Sequence, residues 1–179
     1  MHNVNLEALN QTVEKARENP AAVRQQATFT GEWNVQEGAA QFRGAIPHPG
    51  GEMIFEADFP PPMGGSGSAP NPLAYCFWGG LACYAMTFAQ EAARQGVQIR
   101  ALRAHAQAEV DQTRALGLSD RPPVEQVDWR LEIDADADAD KLQELKRLAD
   151  EHCPGAFCLR NPIALNTTLQ GATNEPIKP

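Results

Sequence analysis

Residues 59–90 contain no Lys, Arg, Asp, Glu or His. A stretch this long invites a membrane reading, since about 20 apolar residues cross a bilayer. Pro60, Pro61, Pro62, Pro70, Pro72 and the Gly/Ser cluster at 64–68 interrupt it, and no basic residues flank it. From Pro72 onward it reads instead as a helix buried on all sides in a folded core. Positive charge is scarce throughout. Fifteen Lys and Arg face 23 Asp and Glu, for a net charge of −8 and a pI near 5.0. Such a surface does not track phosphates, which argues against nucleic acid as a partner. No basic segment followed by an apolar one opens the chain, so no signal peptide is expected and the cytoplasm is the expected compartment. There the four cysteines would rest as thiols, and any disulfide would be transient or catalytic.

Other signatures are incomplete. Gly64-Gly65-Ser66-Gly67-Ser68 lacks the Gly-Lys-Ser/Thr ending of a phosphate loop. Asp134, Asp136, Asp138 and Asp140 suggest calcium, but Ala139 and Leu145 stand where such a loop wants Gly and Glu. A solvated strand–helix connection is the better reading. His152, Cys153 and Cys158 could be three zinc ligands, yet no second CxxC pair completes them. His48 and His105 have no Ser or Cys partner at a recognisable spacing and read as surface or strand residues.

What is present suits one globular domain: 179 residues, 42% hydrophobic and 21% charged. Leu6, Leu9, Val13 and Ala16 recur at helical spacing, predicting an amphipathic helix over 5–19 that ends at Asn19-Pro20. Residues 27–33 read as a strand. Alternation predicts a second over 40–46 and a third over 53–59, joined by the Pro47-His48-Pro49-Gly50-Gly51 turn. Pro72 suits the first position of a helix running to about Gln95, with Gly96 as its C-cap. Residues 102–110 and 127–133 alternate strongly and predict two more strands. Asp140 could cap a helix carrying Leu142, Leu145, Ala149 and Cys153 on one face, ended by Pro154-Gly155. Residues 163–169 read as a last strand and 171–179 as a loose tail. The order defines an α+β fold built on antiparallel sheet.

The thiols are the chemically distinctive residues. Cys76 and Cys83 lie on one helix, about 10 Å apart along its axis. A disulfide needs Cα atoms closer than about 7 Å, so Cys83 must pair with Cys153 or Cys158 if it pairs at all. Taken singly, each thiol is better read as a small hydrophobe.

One combination is more specific. Gly64-Gly65-Ser66-Gly67-Ser68-Ala69-Pro70-Asn71-Pro72, then Cys83, then Gly96 and a strand, then His152-Cys153-Pro154, resembles the OsmC/Ohr family over roughly residues 28–169. The resemblance implies two antiparallel sheets around two central helices, formed by an intertwined homodimer with its active sites at the subunit interface. Residues 1–24 would be an N-terminal helical extension, 25–170 the OsmC-like domain and 171–179 a C-terminal tail.

The activity implied is thiol-dependent reduction of organic hydroperoxides in oxidative stress defence, so the chain would be an enzyme. Cys83 matches the peroxidatic cysteine and Cys153 the resolving one. A lipoyl-type dithiol would supply electrons, without flavin, haem or metal. Arg43 is the candidate cation that keeps Cys83 ionised. One departure stands out: Leu73-Ala74 occupy the place of the family Glu that orients this arginine. Either another acid such as Glu56 substitutes, or the chemistry is weakened. Cys158 is then an alternative resolving residue, and Tyr75, Phe77 and Trp78 are candidates for an apolar pocket or for interface packing. The alternative is a non-catalytic dimer of the same fold that binds a small apolar molecule.

Overall fold

The computed structural model describes residues 3–171. Helix α1 spans Leu6–Glu18, and Asn5 caps it by accepting the Ala8 N–H at 3.1 Å. It buries no residue. A three-stranded antiparallel sheet follows: β1 Thr30–Trp33, β2 Phe42–His48 and β3 Gly51–Ala57, in that order. Gly51 makes the β2–β3 turn with φ +136°, a conformation open mainly to glycine.

Beyond β3 a buried carboxylate organises the Gly/Ser loop. Asp58 Oδ2 accepts the backbone N–H groups and hydroxyls of both Ser66 and Ser68. The Ser66 hydroxyl and the Ser68 N–H are the main reasons its pKa falls to about 2. The loop delivers the chain to Asn71, whose side chain accepts the Leu73 N–H at 2.9 Å and starts helix α2, Pro72–Arg94. Pro72 sits at its first turn, where a missing N–H costs nothing.

Strands β4, Ile99–Ala108, and β5, Val127–Ala135, form a second antiparallel sheet. Helix α3 spans Ala139–His152. Its N-cap is Asp138, which accepts the Lys141 N–H at 2.8 Å, rather than the expected Asp140. Asp134 pairs with Arg100, and Asp136 accepts the Gln98 N–H. The acidic run is thus engaged with the protein's own donors, and among the described residues no group of three His, Cys, Asp or Glu could hold a metal ion. No helix among them is long and apolar enough to cross a membrane.

Pro154-Gly155 mark the end of α3 as expected, with Cys153 as its C-cap, and Pro154 also opens a further helix absent from the sequence reading, α4, Pro154–Arg160. One expected strand is missing. Residues 163–169 form no strand, and Ile163, Leu165 and Leu169 are exposed. Alternation prepares a segment for pairing, but a ladder also needs a neighbouring edge. Apart from Gly171, the expected C-terminal tail lies outside the described residues.

The core lies between the helices and the second sheet. Tyr84, Phe88 and Ala92 of α2 meet Leu145 and Ala149 of α3, Cys153 and Ala156, with Leu102, Trp129, Leu131 and Ile133 packed against them. Full burial of a side chain such as Phe88 contributes about 1.5–3 kcal/mol. Two glycines allow close helix packing. A Cβ on Gly80 would come within 2.7 Å of Leu159 Cδ1 and 2.9 Å of Trp129 Cζ2. One on Gly155 would lie 2.9 Å from Cys83 Cβ. Helices α2 and α4 therefore touch where neither has a side chain.

Candidate thiol site

That contact brings two cysteines together. Cys83 lies in the fourth turn of α2 and is half-buried. Cys153 closes α3, caps α4 and is 1% exposed. Its Sγ accepts the Ala156 N–H at 3.3 Å, doing for α4 what Ser or Asp does at ordinary helix starts. Cys83 packs against the core cluster that contains Cys153, and the Gly155 N–H and the Cys153 thiol are close enough to act on its sulfur. All four cysteines are free thiols.

Burial pushes the Cys83 thiol above its ordinary value. The Gly155 N–H opposes this, while Cys153 and Cys158 add to it. No cation is among these influences.

Arg43 does not join the pair. It lies on β2 directly across from Glu56 on β3, with an N···O separation of 3.9 Å and both side chains more than half exposed. The expected Arg43–Glu56 association is present, but away from the sulfurs. Tyr75 and Trp78 are also elsewhere. The Tyr75 hydroxyl donates to the Glu56 carbonyl at 2.8 Å and its ring packs edge-on against Phe55, while Trp78 is exposed. His48 Nδ1 accepts the Gly50 N–H at 3.1 Å, and His105 pairs with Glu132.

The structure adds residues that sequence reasoning did not single out. Beside the thiols, the Tyr84 hydroxyl donates to Asp150 at 3.0 Å, and Lys146 and Arg160 also bind Asp150, at 2.7 and 3.2 Å. Burial and the Asp150 hydrogen bond raise the Tyr84 pKa strongly. Burial opposes ionisation of Asp150, but its Lys146, Tyr84 and Arg160 hydrogen bonds outweigh that and hold its carboxyl below the usual range. These residues, with Phe77, Trp129 and Leu159, line a cleft of about 460 Å³. Next to Cys153, His152 contacts the buried Glu91 at 3.0 Å, which also pairs with Arg94.

An α+β chain with two antiparallel sheets, a long central helix and two thiols meeting at a helix–helix contact is the class that this fold and site define. The family model for OsmC-like protein matches residues 65–168, and the chain belongs to that family. Among curated proteins nothing matches. The fold is shared with an OsmC-like protein from Mycoplasma pneumoniae at TM-score 0.57 and 15% identity, covering 77% of this chain and 89% of that one. It is shared with a putative osmotic stress induced and detoxification response protein from Psychrobacter arcticus at TM-score 0.57 and 16% identity, covering 75% and 88%. An organic hydroperoxide resistance protein OsmC from Legionella pneumophila aligns at TM-score 0.52 and 17% identity, over 76% of this chain and 92% of that one.

Proposed function

We propose that the protein is a thiol-dependent peroxidase that reduces organic hydroperoxides in oxidative stress defence through Cys83 and Cys153. The packing of Cys83 against the cluster that holds Cys153, at the α2–α4 contact, carries the reading. The Cys83 thiolate attacks the outer oxygen of the O–O bond. The O–O bond breaks, the alkoxide takes a proton and leaves as an alcohol, and Cys83 becomes a sulfenic acid. Cys153 then attacks that sulfur, and water leaves as the disulfide forms. A lipoyl-type dithiol returns two electrons by thiol–disulfide exchange.

The half-buried Cys83 thiol needs a cation to ionise near neutral pH. A homodimer would supply one if Arg43 of β2 meets the thiol site across the interface. The exposed apolar side chains of the first sheet, Trp33, Met53 and Ile54 among them, support such an assembly.

The test is turnover. Reduced protein with dihydrolipoamide should consume cumene hydroperoxide, and Cys83→Ser should abolish this. Wild-type protein that leaves the hydroperoxide untouched would sink the proposal. A second reading, a non-catalytic dimer binding a small apolar molecule, is favoured by the raised Cys83 pKa and the aromatic cleft. The pH dependence of Cys83 alkylation separates the two: ionisation at or above about 8.5 favours the binder, and ionisation well below it the peroxidase.

A further inference from the structure

A third thiol belongs to the same neighbourhood. Gly155 stands over Cys83, so close that a Cβ there would lie 3.3 Å from the Cys83 sulfur. Cys158 follows Gly155 by three residues on α4, and side chains three apart on a helix are neighbours, with Cβ atoms about 5–6 Å apart. Along α4, Cys153 precedes the Gly155–Cys83 contact by two residues and Cys158 follows it by three. The Cys158 thiol is near enough to act electrostatically on Cys83. The two flanking cysteines differ in access: Cys153 is buried and Cys158 exposed. They cannot bond to each other while α4 is formed, because five residues of helix separate them by about 7.5 Å along the axis, beyond disulfide reach.

We propose that Cys158 is a third redox cysteine, which exchanges into the Cys83–Cys153 disulfide at Cys83 and carries the oxidised sulfur to the surface for reduction. The proposal rests on the peroxidase reading for its physiological role. The Cys158 thiolate attacks Cys83 Sγ, the Cys83–Cys153 bond breaks, and Cys153 leaves as a thiolate that takes up a proton. An external dithiol then attacks the exposed Cys158 sulfur and releases Cys83 as a thiolate. The second thiol of the reductant closes its own disulfide and frees Cys158. Two electrons pass from the dithiol to the protein, and all three cysteines end reduced. The relay answers an access problem: Cys153 offers almost no surface to an incoming reductant, and exchange rates depend on which sulfur can be reached.

The experiment uses diamide, which oxidises neighbouring thiols without hydroperoxide, on full-length protein carrying Cys76→Ser to suppress links between molecules. Chymotryptic cleavage after Phe77 or Trp78 and after Phe157 separates the cysteines for mass spectrometry. A Cys83–Cys158 linked peptide is expected beside the Cys83–Cys153 one, and it should become the main product when Cys153→Ser is added. Dihydrolipoamide should reduce the oxidised Cys158→Ser protein about tenfold more slowly than its parent, with Cys158→Ala behaving alike. Absence of the Cys83–Cys158 bond even in the Cys153→Ser background, or reduction of Cys158→Ser at the parent rate, would overturn the relay. Because diamide makes the disulfide by itself, a protein inert to cumene hydroperoxide would sink the peroxidase reading and leave this readout intact.

Discussion

The two sheets of this molecule have different standing. The second, β4–β5, lays Leu102, Trp129, Leu131 and Ile133 against a core closed by α2, α3 and α4. The first, β1–β3, buries only Ala57 among its strands and leaves Trp33, Phe42, Ile46, Met53 and Ile54 exposed. Its ties to the rest run through single contacts such as Tyr75 to Glu56 and Gln41 to the backbone of Phe59 and Gly64. One region is complete within a single chain. The other presents apolar surface that a monomer leaves in water, and it carries the exposed Arg43–Glu56 pair.

Matched truncations should break this symmetry most visibly. Leu145→Ala, at a position 0% exposed, should lose about 2–5 kcal/mol in urea unfolding. Met53→Ala, more than half exposed, should lose no more than about 0.5 kcal/mol in dilute monomer. A larger loss for Met53→Ala that depends on protein concentration would show the first sheet covered by a second copy, and sedimentation velocity on the same samples would report the dimer directly.

The Asp58 loop, which links the two regions, should give a smaller effect with a defined pH signature. Its pKa is 3.8 unfolded and about 2 folded, so the fold favours the charged form. The stabilisation is fully present above pH 3.8 and disappears as pH falls through 2. Asp58→Asn should therefore unfold at lower urea than wild type at pH 6, with the gap closing near pH 2. A gap that persists unchanged at pH 2 would mean the loop is held by something other than this carboxylate.

The smallest effect on stability should come from Arg43→Ala. Its ion pair with Glu56 is exposed at 3.9 Å, and such pairs contribute about 0–1 kcal/mol. The same variant should slow Cys83 alkylation at pH 7 if Arg43 reaches the thiol in a dimer. Unchanged alkylation in a dimeric sample would remove Arg43 from the mechanism.

The parts of the fold that the sequence made legible are those in which local pattern and final environment agree. Alternation from Val127 to Ile133 became β5, whose inner face packs on the core. Pro72 marked the start of α2 because a fixed φ acts within a few residues. Pro154-Gly155 marked the end of α3 because both residues are poor in helix interiors, but Pro at a first turn and a thiol as cap also make the start of α4, which that reading hid. Residues 163–169 alternate as a strand does, but pairing is decided by a partner edge, which local pattern does not encode. The two sulfurs were legible as a pair only through family resemblance. Their contact depends on the crossing of α2 and α4, and α4 was itself missed. Tyr84, Asp150, Lys146 and Arg160 gave no joint signal, since their convergence joins two segments far apart in the chain.

Gly80 and Gly155 leave one further mark on the α2–α4 contact beside Cys83. The clearance there is set by two absent methyl groups, and the one at Gly155 is what keeps α4 off the Cys83 sulfur, so it works as a mechanical tolerance. Tuning of this contact by substitution is then one-sided: either glycine can only be replaced by something larger, and each replacement acts as a wedge driving the two helices apart.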